Sequence, residues 1–129
     1  MNRLLYSFVK TWIGGLLLHW IFAFFSFIIP GEKLIETDSV LAFHHPSPSY
    51  PLHILIVPKT KFRSLNDLPS QDQAFELGLF KAVNELVQKY NLEAKGYRLI
   101  TNGGIFQEVN YLHFHLISDD YEGEPLSSS

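Results

Sequence analysis

Near the C-terminus, Tyr111-Leu112-His113-Phe114-His115-Leu116-Ile117 alternates polar or aromatic with apolar side chains, the period-2 signature of a strand. Tyr111, His113 and His115 should then project from one face, with Leu112, Phe114 and Leu116 on the other, building core. Two imidazoles on one face can divide the work of phosphoryl chemistry. With an ordinary pKa near ~6.5, a neutral ring attacks phosphorus while a protonated one donates to an oxygen or to the leaving group. Asn102-Gly103-Gly104 turns the chain toward the same strand and can offer backbone N–H groups to an anion. A His-x-His pair also suits zinc or copper, with His44, His45 or His53 as third ligand. No carboxylate stands at tight spacing to complete that shell, so a phosphate site is the better reading. Ordinary solvent-facing or hydrogen-bonded histidines are the remaining alternative, less attractive with three His-rich regions in a chain of six histidines.

The elements that would position these residues can be read in order. Lys33 to Thr37 and Val40 to Phe43 form a hairpin about Asp38-Ser39, followed by the turn-rich His44-His45-Pro46-Ser47-Pro48-Ser49. Leu52 to Val57 is a nearly continuous apolar run closed by Pro58, which predicts a central strand with His53 inside it. After the connector Lys59 to Pro69, Ser70 is placed to cap a helix reaching about Tyr90, with Phe75, Leu79, Ala82 and Leu86 on its buried stripe. Gly96 to Thr101 and Val109 to Ile117 supply two more strands. The order β-β-β-α-β-β predicts an α+β fold with an antiparallel sheet of about five strands and one long helix.

On these motifs the chain resembles the histidine-triad (HIT-like) family, Hint-type branch. Leu41-Ala42-Phe43-His44, the Ser-Pro turn and Pro51-Leu52-His53-Ile54-Leu55-Ile56-Val57-Pro58-Lys59 are similar to its first half. Lys95-Gly96-Tyr97-Arg98 with Asn102, then Gln107, Val109 and the histidine strand, are similar to its second, so the likeness runs from about Leu34 to Ser118. The resemblance implies a five-stranded antiparallel sheet, commonly dimerised. It implies binding of purine nucleoside monophosphate groups, with hydrolysis or transfer through a nucleotidyl-histidine and no cofactor. Carried over, His113 matches the nucleophile, His115 the phosphate-contacting third histidine, His53 the relay histidine and Asn102 the site asparagine. Gly103, Gly104, Tyr111 and His44 complete the expected nucleotide-phosphate site. The chain departs from the family at Tyr111, which replaces the first triad histidine, and at His45, where an aspartate commonly holds the ribose. Glu108 stands where a serine commonly helps the leaving group, and the Gly-rich turn is about two residues shorter. These changes bear on ribose and leaving group more than on attack at phosphorus.

The remaining sequence sets the context. A length of 129 residues holds one domain, and a net charge of −3 without a basic run gives no electrostatic footprint for nucleic-acid backbone binding. With no cysteine, thiolate nucleophiles and disulfides are excluded too. Trp12 to Ile29 is an apolar run of eighteen residues, about 27 Å as a helix, which predicts a single-pass membrane anchor in residues 1–31 ahead of a domain at 32–118 and a polar tail at 119–129. A cleaved signal peptide should instead end in a small-x-small site, and this run ends Phe-Ile-Ile-Pro-Gly. Arg3 and Lys10 ahead of the run favour a cytoplasmic N-terminus, nucleotide chemistry pulls the other way, and the side stays open. Gly15, His19, Ala23 and Ser26 would share one helix face, a packing stripe toward another membrane helix. Gly15-x-x-x-His19 also resembles the pigment-ligating pattern of light-harvesting polypeptides. Two functions are thus expected as alternatives. One is a membrane-anchored nucleotidyl hydrolase or transferase of the phosphoramidase kind. The other is a catalytically degenerate domain serving as accessory subunit of a membrane complex. The expected partners are a purine nucleotide or its ester, membrane lipid, another transmembrane helix and a second copy of the chain.

Overall fold

The computed structural model describes residues 33–120. The apolar run at 12–29, with Gly15 and His19, and the end of the C-terminal tail lie outside the described residues.

Strands β1 (Lys33–Glu36) and β2 (Val40–His44) form the hairpin. Thr37 closes it: its Oγ1 accepts from the backbone N–H groups of Ser39 at 3.3 Å and Val40 at 3.1 Å. Strand β3 (Leu52–Pro58) runs antiparallel to β2 and is buried along its whole length. Helix α1 (Ala74–Lys89) and the one-turn α2 (Leu92–Lys95) lead to β4 (Arg98–Ile100) and β5 (Phe114–Ser118). The five strands form one antiparallel sheet in the order β1-β2-β3-β5-β4. This is the expected α+β architecture, a five-stranded antiparallel sheet with one long helix. No helix among the described residues is long and apolar enough to cross a membrane.

Strand parity separates two apolar layers. Val40 and Ala42 of β2, Leu52, Ile54 and Ile56 of β3 and Leu116 of β5 pack with Phe75, Leu79, Ala82, Val83, Leu86 and Val87 of α1. Burying each larger aliphatic side chain contributes about 1.5–3 kcal/mol. On the opposite face Leu41, Phe43, Leu55, Val57 and Tyr111 form a second, smaller cluster. Sheet and helix approach closely at Gly78, where an added Cβ would lie 2.6 Å from Ser39 Oγ and 2.8 Å from a Val40 methyl.

Two boundaries differ from expectation. The helix begins at Ala74, with Gln73 at its N-cap and no side-chain cap. Asp72 Oδ1 accepts from Ala74 N–H at 3.1 Å, so a local aspartate bond takes the place of a Ser70 cap. The last strand begins at Phe114 because the preceding residues are tied to loops. Leu112 N–H donates to Phe62 O at 2.8 Å, and Gln107 Nε2 donates to the carbonyls of Val109 and Arg63.

Candidate functional site

The second face gathers a histidine cluster. His53 stands on the same side of β3 as Leu55 and Val57, and His115 is paired with Leu55 across the β3/β5 register. Their rings meet with His53 Nε2 and His115 Nδ1 2.8 Å apart. His113 precedes β5 and sits beside His115, with ring centroids 5.0 Å apart at 70°. His45 lies on His53, stacked at 4.3 Å. Four of the six histidines therefore form one cluster.

Backbone groups set the tautomers. Ser49 N–H donates to His53 Nδ1 at 3.1 Å, so a neutral His53 carries its hydrogen on Nε2 and donates to His115 Nδ1. His115 in turn keeps its hydrogen on Nε2. His113 Nδ1 lies 2.7 Å from the Tyr111 carbonyl, which only accepts, so Nδ1 holds the hydrogen and Nε2 presents a lone pair. Ser47 N–H donates to His45 Nδ1 at 2.9 Å. The free Nε2 atoms of His45, His113 and His115 have no partner among the described residues, and none is sealed from solvent.

Electrostatics keep most of the cluster uncharged. Burial, then the nearby His45, pushes His53 down to about 4. Burial and the neighbouring His113, His53 and His45 push His115 down to about 4 against the opposing pull of Glu108. His45 is lowered by burial and then by His113. Each ring loses solvation and gains positive neighbours, both of which disfavour the imidazolium form.

The other expected residues divide. Asn102, Gly103 and Gly104 lie exposed in the turn after β4, held beside the cluster by Thr101 Oγ1, which donates to His113 O at 2.8 Å. Gly104 needs its positive φ of 60°, and it lines a cavity of about 290 Å³ with Gln107, Glu108 and Asn110. Tyr111 and His44 require correction. Tyr111 is on the histidine face but buried, and its hydroxyl donates to Pro58 O at 3.1 Å. Its backbone carbonyl is the group that meets the cluster, at His113 Nδ1, while its phenol is turned to Pro58. His44 shares a side with Ala42, toward the helix, where its Nε2 lies 3.4 Å from the Tyr90 hydroxyl. Period-2 counting from Phe43 would have selected His45 in its place. Of the three third ligands the metal alternative offered, His44 is turned away from the cluster, and no group of three or more His, Asp or Glu among the described residues is arranged to hold a metal ion.

Comparison with known proteins agrees with this architecture. Residues 27–122 match the HIT domain family. An uncharacterised 13.2 kDa HIT-like protein of Azospirillum brasilense is 38% identical over 93 residues, covering 70% of this chain and 76% of the relative. The purine nucleoside phosphoramidase of Escherichia coli is 32% identical over 102 residues, 76% of this chain and 81% of that enzyme. A histidine triad protein from Clostridium difficile superposes with a TM-score of 0.68 at 33% identity, over 81% of this chain and 93% of that one.

These findings correct the expected single-pass membrane localisation. The family match opens at residue 27, inside the apolar run. The E. coli phosphoramidase is matched over most of its own length by this domain. The lipid and transmembrane partners and the accessory-subunit role gain no support from these relatives, and the expected anchor at residues 1–31 lies outside the described residues. The chain belongs to the HIT domain family.

Proposed function

We propose that this domain binds nucleotide phosphate groups and acts as a nucleotidyl hydrolase or transferase, with His113 as nucleophile. The observation that carries the reading is the 2.7 Å contact between His113 Nδ1 and the Tyr111 carbonyl. It fixes the hydrogen on Nδ1, turns the Nε2 lone pair outward and stabilises the charge that the ring acquires when Nε2 bonds to phosphorus.

His113 Nε2 attacks the α-phosphorus of a nucleotide phosphoramidate, ester or anhydride, and the bond from phosphorus to the leaving group breaks. The leaving group takes the electron pair and a proton from solvent, which the attacking water later returns. His115 Nε2–H donates to a non-bridging oxygen as charge builds there, with the Asn102-Gly103-Gly104 turn as a further source of donors. His53 orients His115 through their shared hydrogen bond. Water then attacks phosphorus, the His113–phosphorus bond breaks, and nucleoside monophosphate leaves. The E. coli relative's name, purine nucleoside phosphoramidase, supports a purine nucleoside phosphoramidate as first substrate to test. A homodimer belongs to the same reading, with edge strand β4 open to a second copy.

The test is AMP release from adenosine 5′-phosphoramidate by the purified chain. His113→Ala should abolish it, and His115→Ala should slow it by roughly 100-fold, the scale of losing one oxyanion donor. Unchanged turnover in His113→Ala refutes the assignment. A nucleotide-dependent rise in Tm without any turnover would leave a binding module in place of an enzyme.

A further inference from the structure

His45 follows β2, and its backbone N–H donates to His53 O at 2.8 Å. With Nδ1 occupied by Ser47 N–H, the neutral ring can only donate at Nε2. His115 is in the same condition, because His53 holds its Nδ1. The two rings are nearly parallel, 20° apart, with centroids separated by 6.2 Å. Two such donors side by side can serve two oxygens, each at the ~2.8 Å of a charge-assisted N–H···O bond.

A donor-only edge cannot accept from a sugar hydroxyl and can give its oxygen only a neutral bond. An anionic oxygen at the same place gains a charge-assisted bond, roughly twice as strong as a neutral one. It also offsets the burial and the His113 charge that otherwise disfavour a cationic ring here.

We propose that His45 is a second anion-binding residue of this site, acting through Nε2–H. Its ligands are phosphate esters that present an anionic oxygen to His45 as well as to His115. This rests on the phosphate-binding reading above and adds a ligand preference to it. The second oxygen belongs either to the ester phosphate itself or to a separate phosphate on the sugar.

Calorimetric titration of the full chain distinguishes these sources, with AMP, 2′-deoxy-AMP and adenosine 3′,5′-bisphosphate as ligands. Wild type should bind AMP and 2′-deoxy-AMP with closely similar affinity, since His45 Nε2–H is engaged by an anionic oxygen and not by the sugar hydroxyl, which would accept only the weaker neutral bond. His45→Ala should weaken binding about tenfold. If the second oxygen is on the ester phosphate, all three ligands lose affinity; if it is on a second phosphate, only the bisphosphate does. His45→Asp should lose more, because a carboxylate repels the same oxygen, and unchanged thermal melts would show that both variants fold. Unchanged affinities in both folded variants overturn the proposal, as does a wild-type preference for AMP over 2′-deoxy-AMP that disappears in His45→Ala. If wild type binds none of the three ligands, the phosphate-binding reading falls with it.

Discussion

Acid should destabilise this fold in a window set by its imidazole cluster. His53 and His115 titrate near 4 in the folded chain, against an ordinary value of 6.5. A group whose folded pKa is depressed in this way is neutral in both states above about pH 6.5, and there it contributes nothing to pH dependence. As pH falls below that value the unfolded chain takes up protons that the folded chain refuses, so stability declines until the folded cluster itself titrates near 4. For a histidine displaced from 6.5 to about 4, linkage gives about 2 kcal/mol lost by pH 5 as an upper figure, and solvent screening at this half-open cluster reduces it to roughly 1 kcal/mol. The pair together should lose on the order of 2 kcal/mol between about pH 7 and pH 5. Glu36 acts in a separate window. Its bonds to Lys33 and Lys59 hold it at about 2, so its contribution is present above its ordinary value of 4.5 and fades as pH drops toward 2. Urea unfolding of wild type and His53→Gln across the upper window would resolve the histidine effect. Wild-type stability that stays flat between about pH 7 and pH 5, or an equal decline in His53→Gln, would refute the reasoning.

Other expectations follow from single contacts. Tyr111→Phe removes the donor to the buried Pro58 carbonyl and should cost about 1–3 kcal/mol in urea unfolding. It should leave turnover close to wild type, because His113 is oriented by the backbone of residue 111 and not by the phenol; a loss of activity as large as that of His113→Ala would contradict this. Gly78→Ala brings a methyl against Ser39 and Val40, and the overpacking should cost about 1–3 kcal/mol despite alanine's better helix propensity. An unchanged or raised Tm would show that the β1/β2 hairpin yields. Glu108→Gln removes the carboxylate whose field acts on His115 and should tighten AMP binding, read by calorimetry, with weaker binding as the contrary result.

Much of the architecture was legible because periodicity reports burial directly. The unbroken apolar run from Leu52 to Val57 reads as the central strand, and the stripe through Phe75, Leu79, Ala82 and Leu86 as the face of α1 turned to the sheet. Alternation likewise separates Leu112 and Leu116 from the histidines. What stayed hidden depends on partners distant in sequence. The start of β5 is set by Phe62 and Thr101, which take the bonds of Leu112 and His113. The exchange of His44 for His45 turns on where β2 ends. No pattern announces that Ser47 and Ser49 N–H groups choose the tautomers of His45 and His53, since that requires the path of the Pro-rich loop. The apolar run at 12–29 is the part of the reading that rests on length and hydropathy alone; it lies outside the described residues, and only its last three residues fall within the family match.

The central claim is that the Tyr111 carbonyl holds His113 with its Nε2 lone pair toward phosphorus. It is tested most directly by acid-quenching the purified chain during turnover of adenosine 5′-phosphoramidate and mapping the covalent nucleotidyl group by mass spectrometry. The account predicts an adenylyl group on His113, absent from His113→Ala and accumulating in wild type before AMP is released. An adenylyl group on His45 or His115, or full turnover by His113→Ala with no covalent species, would contradict it.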